Sequence, residues 1–338
     1  MPFSKKSFPK ILISGTPKNL RERELRTALE VSLVSGGAEL TSQESSACTN
    51  LVFWHGEEDA VLEVCKENIL VYLPFEFPSN DFVASAQRFD AVVVFSPLVA
   101  EEITDKFPGL SVPVLSLVPP LRTSKDGEID LGLPDIGRDY RFYAVVPSHE
   151  VGIVYPVVRE FLAEYRDTDF TRMVLVTDGD RDEVVKVVDF IVAELDLPKT
   201  RVARIHVLSR PWSFQLHWSL AAWGDCLICP WAGISYPLEV GYALLHGNFV
   251  VSHTWLCGRL LSETAGCPVK ATMSPQGFVD VDWEQVASMI RLAAANGRRE
   301  HYPAYQTAEM FLAESGRFLQ DLMANLGVVF DQESRSLP

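Results

Sequence analysis

No apolar run in this chain of 338 residues reaches the ~20 that a membrane-spanning helix needs, and Met1 to Lys10 lacks the apolar core of a secretory leader. The sequence therefore predicts no integral membrane segment and a cytoplasmic setting. Positive charge is also scarce: 30 Lys and Arg face 45 Asp and Glu, for a formal net charge of −15. That deficit argues against a nucleic-acid footprint or docking on anionic lipid, both of which need clustered cations. It leaves room for an anionic ligand, because a few local donors outweigh the global field at short range. Cysteine is sparse, with six residues at positions 48, 65, 226, 229, 257 and 267, all in apolar contexts that suit buried thiols in a reducing compartment. Cys226 and Cys229 form a C-x-x-C, yet they lie in the strand-like run Asp225–Cys229, where an odd offset sends two side chains to opposite faces. A core role fits that geometry better than redox or metal chemistry. Missing too are a G-x-S-x-G, a P-loop, an H-E-x-x-H, a Ser-His-Asp order, low-complexity tracts and repeats of solenoid period. What remains is a globular composition, 47% hydrophobic and 22% charged, in a chain long enough for two domains.

Short apolar runs alternate with longer helical patterns from end to end, the signature of parallel sheets covered on both faces. The first half offers strands at Lys10–Ser14, Asn50–Trp54, Ile69–Leu73, Ala91–Phe95 and Val112–Val118, with helices at Leu20–Val34 and Pro97–Phe107. From Pro119 to Arg138, prolines, glycines and charges lose all apolar period, which reads as a linker. The pattern then restarts with strand Phe142–Val146, helix Val151–Tyr165, strand Met173–Thr177 and helix Asp182–Leu195. In that helix Val184, Val187, Val188, Ile191, Val192 and Leu195 form one stripe. Strands Val202–Val207, Asp225–Cys229 and Phe249–Ser252 follow, separated by helices near 213–222 and 237–246, and helical stretches near 283–296 and 303–325 close the chain. The predicted fold class is α/β, two Rossmann-like doubly wound parallel-sheet domains facing a cleft. The first spans 1–120, a linker 121–138, the second 139–300, and a C-terminal helix within 301–338 returns to the first domain. Ligands of such sheets bind beyond the carboxyl ends of the strands, which places the expected site in the cleft.

The segment from Trp231 to Val251 carries the most chemical information. A strand ends at Cys229-Pro230, a loop runs through Trp231, and a helix opens at Ser235 or Tyr236 with Pro237 in its first turn, followed by Leu238 and Glu239. Gly247 ends the helix and a Val-Val strand begins at once. The free N–H groups and dipole of that helix start favour a diphosphate, and the Glu239 carboxylate can accept hydrogen bonds from sugar or ribose hydroxyls. A first-turn glutamate also suits a helix start with no ligand at all.

The run Ser235-Tyr236-Pro237-Leu238-Glu239, the small-residue helix, Gly247 and the Val-Val strand together resemble the donor-binding segment of GT-B glycosyltransferases, especially the GT4-like and rhamnosyltransferase-like groups. Upstream, Val174–Asp180 is similar to the strand and glycine turn that precede that segment, and Phe89–Glu102 to the strand and helix before the interdomain linker. The resemblance implies a hexosyltransferase-class enzyme that moves a sugar from a nucleotide-sugar to an acceptor hydroxyl, retaining and metal-independent, with no cofactor beyond that substrate. It implies a nucleotide-sugar and a sugar or glycoconjugate acceptor as partners, with Glu239 as the donor carboxylate. Trp231 stands where retaining members usually carry an earlier glutamate. The cations that would grip the diphosphate follow no motif, and Arg172, Arg181, Lys186 and Arg204 qualify by region alone.

Further candidates lie at predicted strand ends. Glu76 can face the acceptor, and Gly15 can admit a substrate close to the backbone. Ser148 and His149 open a helix after the first strand of the second domain, a place for a donor phosphate or sugar, although an N-cap serine explains the pattern equally. Asp178-Gly179-Asp180 matches the D-x-D of metal-dependent transferases, a pattern that any acidic turn produces, and the two-domain layout argues against that reading. Arg210-Pro211-Trp212 forms a loop on which a base can stack. Two alternatives stay open: a non-catalytic GT-B-like binding protein, favoured by Trp231, and a sugar-nucleotide epimerase of the same architecture.

Overall fold

A computed structural model describes residues 10–14, 20–35, 38–42, 48–53, 67–71, 80–117, 121, 128–133, 137, 139–146, 152–229, 238–253, 266–273, 279–295 and 318–325. The chain divides into two compact units, Met1–Arg122 with Ala313–Pro338, and Thr123–Leu312.

The first unit is built on a six-stranded parallel sheet: β1 (Lys10–Ser14), β2 (Glu39–Leu40), β3 (Cys48–Phe53), β4 (Glu67–Val71), β5 (Ala91–Val94) and β6 (Val114–Ser116), in the order β2-β1-β3-β4-β5-β6. Its helices are α1 (Leu20–Ser35), α2 (Asn80–Ala86), α3 (Pro97–Lys106) and α9 (Phe318–Asn325), and α9 packs on α1. Strand β5 reads Ala-Val-Val-Val and is buried throughout, as a central parallel strand covered on both faces must be. Ser96 caps α3 by accepting from the Val99 N–H, and Pro97 fills the first turn, where no N–H is needed. One polar line crosses the sheet interior. Ser14 Oγ donates to Asn50 Oδ1 at 2.7 Å, and Asn50 Nδ2 donates to Asn68 Oδ1 at 2.9 Å. Both asparagines are buried, so these bonds replace the water each amide has lost.

The second unit holds β7 (Tyr140–Val146), β8 (Thr171–Thr177), β9 (Arg204–Ser209), β10 (Cys226–Cys229), β11 (Phe249–His253) and β12 (Gly266–Val269), all parallel, in the order β12-β11-β10-β7-β8-β9. The order reverses between β7 and β10, which is where dinucleotide-binding sheets open their ligand crevice. The helices are α4 (Val154–Glu164), α5 (Arg181–Glu194), α6 (Phe214–Trp223), α7 (Leu238–Leu245) and α8 (Trp283–Ala295), and a small antiparallel hairpin pairs β13 (Ala271–Met273) with β14 (Val279–Val281). Gly247 ends α7 with φ +70, while the Asn248 N–H reaches the Ala243 carbonyl and the Gly247 N–H the Leu244 carbonyl. This is the paired closure that a left-handed residue permits. Residues 128–133 of the predicted linker belong to this second unit. Leu131 is buried, and the Ile129 N–H donates to Ser219 Oγ at 2.8 Å.

A charged pair locks the amino edge of the same sheet. Asp225, just before β10, accepts from Arg141 N, Nε and Nη2 at 3.0, 2.8 and 3.0 Å. Beside it the backbone of Gly224 lies so close to the Tyr143 ring that an added Cβ would overlap it, which accounts for glycine at the end of α6. Cys226 and Cys229 are buried in the central strand β10, and burial pushes the Cys226 thiol well up.

Candidate active site in the second unit

Helix α7 starts nine residues after β10, the strand that flanks the reversal point, and packs on β10, β11 and α6. Glu239 is its second residue, and its exposure is 2%. A glutamate held only by the favourable field of a helix start would sit in water. Burial to this degree requires compensation by donors or an opposite charge. His217 on α6 faces it, with Nε2 4.0 Å from Glu239 Oε1.

His217 is itself buried and fixed from two sides. Its ring stacks on Tyr242 with centroids 6.3 Å apart and planes 12° apart, and Trp212 meets it edge-on at 6.0 Å. Tyr242 lies one helical turn beyond Glu239 on α7, so one face of that helix supplies both the carboxylate and the stacking surface. Ser213 caps α6 by accepting from the Leu216 N–H, which sets where the helix begins and hence which of its faces carries His217. His217 escaped the sequence reading because it sits inside a helix and outside every motif, 22 positions from its partner. Its one local signal is a histidine within the largely apolar and aromatic run Phe214–Trp223, which also holds Gln215 and Ser219.

The carboxyl edge of β8 and β9 holds the other described candidates. Thr177 and Ser209 are in register at the strand ends, and beyond them Asp178 is exposed. The Gly179 N–H donates to Thr177 Oγ1 at 3.0 Å, and Asp180 caps α5 by accepting from the Asp182 N–H. One aspartate of the D-x-D is thus engaged as a helix cap. Arg210 is half-buried at the end of β9, its backbone N–H bonded to the Thr177 carbonyl and its Nη2 3.4 Å from the Leu131 carbonyl. Trp212, expected as a stacking surface for a base, is buried against His217 instead of lying open.

Register separates the candidate cations. Arg172 and Arg204 pair with each other at the amino ends of β8 and β9, and their side chains bond Asp139 at 2.6 Å and Asp167 at 2.7 Å. Five strand residues, about 16 Å, lie between them and the ligand-binding edge. Arg181, at the start of α5, and Arg210 are at the carboxyl edge. Leu238 is buried in the first turn of α7. Trp231, Ser235, Tyr236 and Pro237 lie outside the described residues, as do Ser148, His149, Gly15 and Glu76. Among the described residues no group of three or more His, Cys, Asp or Glu is arranged to hold a metal ion, and no helix is long and apolar enough to cross a membrane.

Solved structures share this architecture. Sucrose-phosphate synthase from Thermosynechococcus elongatus superposes with a TM-score of 0.62 at 13% identity, over 94% of this chain and 98% of that one. The E. coli trehalose-6-phosphate structure bound with UDP-2-fluoro glucose gives 0.61 at 8% identity, over 95% and 99%. A mutant of S. aureus TarM in complex with UDP gives 0.57 at 9% identity over 84% of this chain, which spans only 56% of the TarM chain. The pneumococcal O-GlcNAc transferase GtfA is likewise covered over 56% of its length. No protein-family model and no curated protein matches the sequence. The fold is that of the GT-B glycosyltransferases, as the resemblance of the segment around Glu239 implied.

Proposed function

We propose that this protein is a glycosyltransferase that moves a sugar from a nucleotide-sugar donor to an acceptor hydroxyl, with retention at the anomeric carbon and without a metal. The observation that carries the proposal is the buried carboxylate of Glu239 in the first turn of α7, after the strand at the reversal point of a nucleotide-binding sheet. Structures of the same fold were determined with UDP or UDP-2-fluoro glucose, which favours a nucleotide-sugar over other dinucleotide-like ligands.

In this reading the donor diphosphate lies at the N-terminal end of α7, near Ser235, Tyr236, Pro237 and Leu238, where free N–H groups and the helix dipole stabilise it. Arg210 and Arg181 are the described cations at the same sheet edge. Asp178, Gly15, Ser148, His149 and Trp231 are the further donor-binding candidates, and Glu76 is the second catalytic candidate, assigned to the acceptor. Glu239 accepts hydrogen bonds from donor hydroxyls and orients the donor. As the bond from the anomeric carbon to the diphosphate oxygen breaks, positive charge grows on the sugar and negative charge on the departing diphosphate. The acceptor oxygen forms the new bond, and its proton passes to the departing diphosphate. Helix N–H groups and arginine side chains supply the charge neutralisation for which other transferases use a metal. A cytoplasmic setting is part of the same proposal.

The test is product analysis with UDP-, GDP-, ADP- and dTDP-sugars and a panel of sugar acceptors, with and without a chelator. A glycoside of the donor's own anomeric configuration, formed equally with chelator, is the expected product. Nucleotide binding with no product would instead establish the non-catalytic reading that Trp231 favours, and a rearranged nucleotide-sugar would establish an epimerase.

A further inference from the structure

We infer that His217 is the positioning residue for the donor carboxylate: from α6 it holds Glu239 of α7 in the one orientation that meets the donor's hydroxyls. The inference rests on the donor role proposed for Glu239 and adds a residue that no motif marks.

Three observations converge on it. Both side chains are buried, His217 at 3% exposure and Glu239 at 2%, so bulk water does not weaken their interaction. Their facing atoms are 4.0 Å apart, a separation at which two buried polar groups act on one another more strongly than exposed ones would. The histidine also has no freedom to follow a moving carboxylate, because Tyr242 fixes its ring plane and Trp212 blocks its edge. A glutamate has three rotatable side-chain bonds, and ordering them when the donor arrives would cost affinity. An anchored imidazole removes that cost in advance, which is preorganisation.

A double-mutant cycle read by calorimetry decides the matter, with UDP, GDP, ADP and dTDP and their glucose conjugates as probes. The tightest of these for the wild type is carried through His217→Ala, Glu239→Gln and the double variant, counting only folded, binding-competent protein. His217→Ala is expected to weaken binding by roughly tenfold, in the coupling range of residues within one network. In the Glu239→Gln background the same change should cost less than about twofold, because the group through which His217 acts is already altered. His217→Gln, which keeps a hydrogen-bond donor, should recover most of the loss, whereas a merely space-filling role would be restored as well by His217→Leu. Independent, additive losses in the two single variants, or equal rescue by Leu, would overturn the positioning role and leave the donor role of Glu239 intact. If no probe binds the wild type, the donor site itself falls and this inference falls with it.

Discussion

The first unit buries Asn50 and Asn68 side by side in the middle of its sheet, where neutral amides satisfy one another and Ser14, while the second unit buries carboxylates at both ends of one connection. Asp225 precedes β10, and Glu239 comes ten residues after its end. The first is saturated by a forked arginine, and the second stands 4.0 Å from a histidine clamped between aromatic rings. A neutral ladder inside a sheet fixes register and little else. A saturated ion pair at the amino edge ties three strands together, since the Asp225 backbone also bonds Arg141 and Phe249. A buried carboxylate on the ligand-binding side that faces a rigidly packed histidine is placed for the proposed chemistry. Polarity in the two units therefore serves scaffold in the first and, in the second, both scaffold and the proposed chemistry.

The comparison breaks most readily at Asp225. Asp225→Ala leaves the Arg141 guanidinium half-sheltered without its partner and should cost about 3–5 kcal/mol by urea denaturation. The nucleotide affinity of the molecules that stay folded should not change, and a large loss there would make Asp225 part of the site after all. Asn50→Ala should cost less, about 1–3 kcal/mol, by stranding the Ser14 hydroxyl and the Asn68 amide oxygen. It too should spare nucleotide affinity. The smallest effect concerns His206 on β9, whose pKa is lowered by burial and then by the positive charges of Arg172 and Arg204. A histidine depressed in the fold binds its proton more readily when unfolded. Stability is therefore full above the unfolded value of about 6.5 and declines as pH falls from there toward the folded value. His206→Gln should flatten that part of the stability profile between pH 7 and 5, and an unchanged slope would show that other groups govern it.

Much of this architecture was legible because parallel strands buried on both faces are continuous apolar words: Ala91–Val94, Met173–Val176 and Cys226–Cys229 stand out against their surroundings. Helix ends were legible where stereochemistry dictates a residue type, as with Ser96-Pro97 opening α3 and Gly247 closing α7. Elements too short for a period escaped. Strand β2 is two residues long, α2 spans a single polar-apolar heptad, and β12 to β14 carry a proline, a threonine and an aspartate inside runs of three or four. Position along a strand was not legible either, so Arg172 and Arg204 read as regional candidates until register placed them at the far edge. The site shows the same division. Glu239 is marked by its neighbours in sequence, whereas His217 is marked only by a contact between two helices, which no local pattern encodes.

The donor role of Glu239 is tested most directly by thermal shift of the wild type and Glu239→Ala with UDP, GDP, dTDP, ADP and CMP, followed by the sugar conjugate of whichever nucleotide binds. At about 100 times its dissociation constant, a nucleotide that binds only the folded protein adds about 2.7 kcal/mol of stability. The account predicts stabilisation of the wild type by one nucleotide, a further gain from its sugar conjugate, and loss of that gain in Glu239→Ala. An equal further gain from the sugar conjugate in both proteins, or no shift with any of the five, would contradict it.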